Sequence, residues 1–548
     1  MANPVPQGSP IPRILPPGPP AVGPGGIAPP PSAPGSEVPN LPVEVNSVAV
    51  DGVTAYPPAV IARFVHGLVG AAVPLPRIDA ARQAILRHYR ADGYVLTAVS
   101  AHLDGAGGLR FAVAEGHIAT VRLDGDIGPA GAQVLRFLNR LTEAPVIDAA
   151  TLERYLLLAQ DVPGITLHAV LEPSTGQPGA LNLIAQVERS PVSGLATSDN
   201  RAFDETGPIE SLGVVDFNSF TQYGEKTEIS YYHAFPDSQN FAQASTEMFI
   251  GASGLKLRVY GGAGPTMPTG SLAVTGYNGM TTVFGLGGSY PVIRSRQQNL
   301  NVYAGFDGLD SDIDTLSSLL QSDEAVRAFR LGEEYGLSDV VLGAARPAID
   351  VLRVRFSQGA PILGAATNGS SPTSPRLNEQ AGFSKIDFEA GRTQTLFAPW
   401  NGASLAFLAL LTGQWTPDIL PPSEQFYLGG ARFTRGYYAG QVPGDKALAA
   451  TAELQLNTDI GISLPGRSLD LPTQWYLFYD WGETWQNQAT DFATTIGSAG
   501  GGVRSRLTRN VEVDLEALAR FNRYPTGAGA GISPLSGGAF YWRVLTRF

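Results

Sequence analysis

The sequence has no cysteine, few histidines and no long apolar run. Without cysteine neither a disulfide framework nor a thiolate metal site can form, so nothing in the fold depends on redox state. The 6 histidines are scattered, with no i, i+4 pair and no His-Glu-x-x-His, and read as structural residues; no metal centre is expected. No window approaches the roughly 18 consecutive apolar residues that a helix needs to cross a bilayer, and the best run, Leu405 to Leu411, is far too short. A helical membrane protein is therefore excluded. Membrane strands are not, because each needs only about 9 to 11 residues with alternate ones facing lipid, and a mean hydropathy of +0.01 fits that averaging. The net charge of -12 argues against nucleic acid as a partner. No charged segment followed by an apolar one opens the chain, so no signal peptide is visible. There is no Gly-x-Ser-x-Gly elbow, and the glycine-rich stretches Gly497 to Gly502 and Gly527 to Gly531 do not lie between a strand and a helix. Neither an enzyme nor a cofactor is expected. The acids Asp307, Asp310, Asp312 and Asp314 read as a solvated loop, since the glycine of a calcium-binding loop is missing and Gln321 stands where its glutamate belongs.

What is present falls into distinct stretches. Residues 1–42 are more than one-third proline and almost uncharged, which predicts an extended tether without a packed core. Residues 43–117 predict a small α+β unit: a strand near Val45 to Val50, a helix opened by Pro57-Pro58 with Val60, Ile61, Phe64 and Leu68 on one face, and a second helix carrying Ile78, Ala81, Ile85 and Tyr89 and stopped at Gly93. Strands Val95 to Leu103 and Leu109 to Val113 follow. The same order recurs over 118–190. Val121 and Leu123 mark its strand, Val134, Leu135, Leu138 and Leu141 one helix, and Asp148 caps another with Leu152, Leu156 and Ala159; strands Ile165 to Leu171 and Leu181 to Val187 close it.

From 191 to 548 helical periodicity gives way to alternation. Leu255, Leu257 and Val259 interleave with Lys256, Arg258 and Tyr260; Leu448, Ala450, Ala452, Leu454 and Leu456 interleave with Thr451, Glu453, Gln455 and Asn457. Leu300 to Phe306 and Val511 to Phe521 behave in the same way. The alternation persists over about ten residues, the reach of a tilted membrane strand. At about 20 to 24 residues per strand and connection, this stretch predicts a transmembrane antiparallel β-barrel of about 16 strands, preceded by the two α+β units. In the final segment Phe540, Trp542, Val544 and Phe548 share one face and Tyr541, Arg543 and Arg547 the other, as a closing strand with an aromatic lipid side should.

The interruption from about 420 to 446 is the most specific part of the chain. It reads Pro422-Ser423-Glu424-Gln425-Phe426, Leu428-Gly429-Gly430, then Phe433-Thr434-Arg435-Gly436-Tyr437 and Gly444-Asp445; downstream lie Phe478, Asp480 and Gly482. On these residues the chain resembles the two-partner secretion transporters, haemolysin and haemagglutinin secretion-activation proteins of ShlB/FhaC type within the outer-membrane insertase superfamily. The resemblance implies that the two units are POTRA domains in the periplasm and that the loop folds back into an outer-membrane barrel. It also implies a secreted exoprotein client with an N-terminal secretion domain, outer-membrane lipid around the barrel, and barrel-assembly machinery for the chain's own insertion. Phase supports the loop pairing independently. Phe478, Asp480 and Gly482 oppose Trp475, Leu477, Tyr479 and Trp481, so Asp480 should face the lumen, where a guanidinium from Arg435 can meet it. Thr434, where the family usually has Val, is expected to stay extended as a β-branched residue. Residues 1–42 are too proline-rich for the pore-plugging helix of the family's type member. An insertase for other barrels is the alternative reading; a passive porin leaves residues 43–188 without a purpose.

Overall fold

The computed structural model describes residues 39–548 apart from 204–205, 270–272, 275, 316–321, 367–368, 370–372, 465–466, 490–491 and 526–533. The expected tether therefore lies, up to residue 38, outside the described residues, as do Gln321 and Gly527 to Gly531.

The first unit contains strands Pro42–Val45 and Ser47–Asp51, helix Pro58–Val65, strand Gly70–Pro74, helix Leu75–Ala91, and strands Ala98–Leu103 and Gly108–Ala114. Both helices carry proline in the first turn, where its missing N–H leaves no bond unmade. The longer one buries Ile78, Ala81, Ile85 and Tyr89 against Leu109, Phe111 and Val113. Gly93, at φ +90°, follows its end. Three details depart from the sequence reading. Leu68 is buried but lies past the end of the first helix, Val95 precedes its strand, and Gly70–Pro74 pairs with Pro42–Val45 between the helices. Five residues, two of them alanine, are too few to show an alternation.

The second unit repeats this plan. Strand Ala180–Arg189 lies between His117–Asp124, its parallel neighbour, and Ile165–Pro173, its antiparallel one, matching Gly108–Ala114 between Ser47–Asp51 and Ala98–Leu103. Leu181 to Val187 is thus the centre of its sheet and cannot serve as an edge; Ile165–Pro173 does lie on an edge. Helix Ala130–Leu138 continues as a 3₁₀ turn, Asn139–Glu143, and helix Ala149–Gln160 starts where the Asp148 carboxylate accepts the Thr151 amide at 2.8 Å.

Sixteen antiparallel strands, from Val192–Asp199 to Gly538–Arg547, close into a barrel. On strand Arg467–Trp485 the exposures of Trp475, Leu477 and Tyr479 are 48, 66 and 52%, while Tyr476, Phe478 and Asp480 retain 2, 5 and 0%. An apolar exterior around a polar interior is the reverse of a soluble β-protein and is the pattern that lipid imposes. On the closing strand Phe540, Trp542 and Val544 face outward with Phe548 beyond them, and Tyr541 and Leu545 face inward. No helix among the described residues is long and apolar enough to cross a membrane. The acids read as a loop are a correction: Asp307 to Asp314 lie on strand Gln298–Asp314, whose 17 residues outrun the apolar band, with Asp307 paired to Arg330 and Asp310 to Arg327.

The second unit is docked across one end of the barrel. Phe249, at the end of its barrel strand, belongs to the unit's core and meets Phe137 edge to face at 5.1 Å. Gln133 donates to the Gly251 carbonyl at 2.9 Å, Arg154 to that of Pro291 at 2.8 Å, and Arg294 grips Asp161 through two bonds of 2.7 and 2.8 Å.

Candidate functional site

The connection between strands Ser404–Trp415 and Lys446–Leu464 leaves the barrel wall at the end opposite the docked unit and folds back into the lumen. Its stem is a short hairpin, Phe426–Leu428 paired with Val442–Gly444. An apolar wedge seats it: Leu428, Tyr437 and Val442 are buried with Ala449 and Ile496 of the wall, and Phe433 packs on the same cluster. Gly429 and Gly430 turn the chain at φ +105° and +99°, and a Cβ on Gly429 would lie 2.0 Å from the Tyr438 carbonyl oxygen.

At the tip the Arg435 guanidinium meets the buried Asp480 carboxylate side-on, Nε to Oδ2 and Nη2 to Oδ1, both at 2.9 Å. The Arg435 backbone N–H adds a third bond of 2.8 Å to the same carboxylate. Nη1 donates to Glu453 and lies 3.9 Å from Glu516. The guanidinium stacks 3.7 Å from the Phe478 ring centroid. The three residues of the wall motif thus do separate jobs: Phe478 offers a face, Asp480 a charge, and Gly482 room, since a Cβ there would stand 2.9 Å from both Leu428 and Thr434 of the hairpin. Gly436 matters for closeness rather than for a turn, because a Cβ on it would stand 2.6 Å from that of Ser498, whose hydroxyl receives the Gly436 amide at 3.1 Å. The Tyr437 hydroxyl sits between the carbonyls of Gly497 and Asn522, at 3.0 and 2.9 Å.

Thr434 departs from expectation. It is not extended but adopts φ +52°, a region that β-branched residues rarely enter. Its hydroxyl accepts the Gly429 amide at 2.8 Å and donates to the Phe433 carbonyl at 2.7 Å, local bonds that hold the conformation and that valine could not make.

Several residues around the tip were not singled out by sequence reasoning. Arg201 donates to the Arg435 carbonyl at 2.9 Å and to Glu516 at 2.7 Å, and lies 4.1 Å from the Tyr541 ring centroid on the closing strand. Arg504 shares Glu453 at 2.7 Å, and Arg520 reaches the Gly436 carbonyl and the Tyr541 hydroxyl. The alternation had put Glu453 and Glu516 on the polar faces of their strands, but nothing in it identified their cations. Beside the tip lies a cavity of about 240 Å³ walled by Asp199, Arg201, Arg504, Asp514, Glu516 and Arg543. Among the described residues no group of three or more His, Cys, Asp or Glu is placed to hold a metal ion. The arrangement positions a lumenal hairpin.

The family described as haemolysin secretion/activation protein ShlB/FhaC/HecB matches residues 181–505, more than half of the chain. The chain belongs to that family. Residues 43–116 match the POTRA domain of ShlB type, and the second unit repeats its plan, so this member is a closed 16-strand barrel behind POTRA domains. Membership makes it a two-partner secretion transporter, in a family of transporters rather than enzymes that work with secreted exoprotein clients. Among solved structures, CdiB from Escherichia coli is similar at 19% identity and a TM-score of 0.70, covering 95% of this chain and 92% of that one. CdiB from Acinetobacter baumannii follows at 15% and 0.62, covering 94% and 91%. BamA from Haemophilus ducreyi lacking POTRA domains 1-3 gives 12% and 0.52, covering 93% of this chain and all of that one. At such identities these likenesses speak for the fold. No curated protein matches the sequence.

Proposed function

We propose that this transporter resides in the bacterial outer membrane with its POTRA domains in the periplasm and secretes one large exoprotein, of haemolysin or adhesin type. The N-terminal secretion domain of that client is received by the POTRA domains, and the client passes through the barrel. One observation carries this reading: a POTRA unit is fixed across the mouth of a closed barrel whose lumen holds an ion-paired hairpin. The strand edge Ile165–Pro173 is the surface on which the client adds a strand, since backbone bonds there give affinity with little demand on client sequence. The barrel relies on outer-membrane lipid for its exterior and on barrel-assembly machinery for its insertion. Within it, the Arg435 to Asp480 contact sets the register of the hairpin, with Phe433, Thr434, Gly436 and Tyr437 shaping the tip and Phe478 and Gly482 the wall that receives it. Phe540, Trp542 and Phe548 form the lipid side of the closing strand.

The test is secretion of the co-expressed exoprotein together with single-channel recording for Asp480→Asn and Arg435→Ala; wild-type behaviour in both variants ends the register proposal. The insertase alternative fits less well, because the matching family is a secretion family and the BamA likeness is the weaker one. Rescue of barrel assembly in an insertase-depleted strain would revive it.

A further inference from the structure

The lumenal hairpin carries two separate sets of ion pairs, and in the second the acids Glu424 and Asp445 belong to the loop motif whereas their cationic partners do not. Where the chain enters the lumen, the buried Glu424 takes two bonds from Arg330, at 2.9 and 2.6 Å, and an ion pair from Lys385 at 2.9 Å. Lys385 also donates to the Glu424 carbonyl at 2.7 Å. Where the chain leaves, Asp445, which has no exposure at all, receives Arg376 through bonds of 2.6 and 3.1 Å, the Leu420 amide at 3.0 Å and the Asn487 amide at 2.7 Å. Arg376 comes from the 360–383 connection at the same end of the barrel. The Asp445 carboxylate thus ties the beginning of the in-folded segment, its end and a neighbouring outer connection to one point.

We propose that this base clasp, centred on Glu424 and Asp445, keeps the hairpin inside the barrel, and that the Arg435 tip is the contact that can let go while the hairpin stays in place. The inference rests on the reading of the hairpin as a lumenal element of the transporter. Its physical ground is effective concentration. With both ends of the hairpin held, a detached tip remains covalently tethered beside Asp480 and re-forms its bonds at once. With the base released, the segment between Trp415 and Lys446 keeps its two strand ends, the apolar seat of Leu428, Tyr437 and Val442, and the tip, and these must hold it against the entropy of a long loop without the polar anchors at its entry and exit. The two fastenings share no side chain, so each can be removed separately. Glu424, Asp445, Arg330, Lys385 and Arg376 are accordingly positioning residues.

The test is trypsin added to intact cells, with cleavage after Arg432, on the hairpin, as the readout, and heat-modifiable electrophoretic mobility as the check that the barrel is folded. Wild type and Arg435→Ala, which removes every side-chain bond of the tip arginine, are expected to stay uncut, whereas Glu424→Gln combined with Arg376→Ala is expected to lose protection while remaining heat-modifiable. Cleavage of folded Arg435→Ala alone, or a folded double variant that stays uncut, overturns the proposal. Should the double variant not fold, Arg376→Ala alone, which removes the guanidinium from Asp445 and leaves Glu424 and its partners in place, is expected to be cut in part; full protection in it is equally fatal. Secretion of the exoprotein is followed in the same strains. Failure of the wild type to secrete would sink the transport reading and leave the clasp standing.

Discussion

Replacing Arg435 with alanine removes the sole guanidinium bonded to Asp480 among the described contacts, and the consequences can be worked through group by group. Glu453 keeps Arg504 at 2.7 Å and Glu516 keeps Arg201 at 2.7 Å. Asp480 keeps no cation; it is wholly buried and retains one amide bond. Stranding a buried charge in this way costs about 3–5 kcal/mol. Asp480→Asn is milder, because Arg435 still has Glu453 at hand, and it forfeits charge-assisted bonds worth about 1.5–3 kcal/mol. In the double variant no carboxylate is left stranded at position 480. Its loss should therefore fall short of the sum of the two single losses by about 2 kcal/mol, within the usual range for residues in direct contact. Denaturant unfolding in detergent, followed by the fluorescence of Trp475, Trp481 and Trp485 on the same strand, measures all three. Losses that add to within about 0.5 kcal/mol would show that the two side chains do not depend on each other, and the register argument would go with them.

Leu477→Arg places a charge on the lipid face and should lower refolding into vesicles by about 2–4 kcal/mol if it sits near the bilayer midplane; an unchanged folding equilibrium would mean that this face does not meet hydrocarbon. Gly436→Ala should loosen the tip by about 1–3 kcal/mol, because the added methyl runs into Ser498; a crystal structure or thermal scan showing it absorbed without change would refute the close approach. In the first POTRA domain burial alone would raise the Glu115 carboxyl, but hydrogen bonds from the Thr54 hydroxyl, the Tyr89 hydroxyl at 2.5 Å and the amides of Ala55 and Thr54 outweigh it and hold its pKa below the ordinary glutamate value. A lowered folded-state pKa means stability that is complete above the unfolded value, about 4.3, and is lost as pH falls through the folded one. Hydrogen exchange of the full chain should therefore accelerate over residues 43–116 as pH drops below about 4 after correction for intrinsic rates; exchange that is flat there in wild type, or equally steep in Glu115→Gln, would contradict this.

How far the fold could be read in advance depended on how local its causes are. Period-two alternation is set by each strand's own residues, so the barrel and its strand number followed from Lys446–Leu464 and its like. Helix Leu75–Ala91 and the Asp148 cap were legible for the same reason. The acids from Asp307 to Asp314 misled because a strand that outruns the membrane turns polar while remaining a strand. Thr434 misled because a tertiary demand for a turn overrode its β-propensity. The tip partners Arg435 and Asp480 were visible through strand phase and the family motif. Of the clasp only the acids Glu424 and Asp445 stood out, as part of the loop motif; Arg330 meets Glu424 across 94 positions and Arg376 meets Asp445 across 69, and one sequence holds no trace of such pairings.

Two-partner secretion by this barrel requires that it move a polypeptide across a bilayer. Purified transporter reconstituted into vesicles, given the unfolded partner exoprotein and no nucleotide, should carry that exoprotein to the far side, where it becomes resistant to added protease. Exoprotein that stays fully digestible with wild-type transporter, while unfolded barrel proteins insert into the same vesicles, would contradict the account and identify an insertase instead.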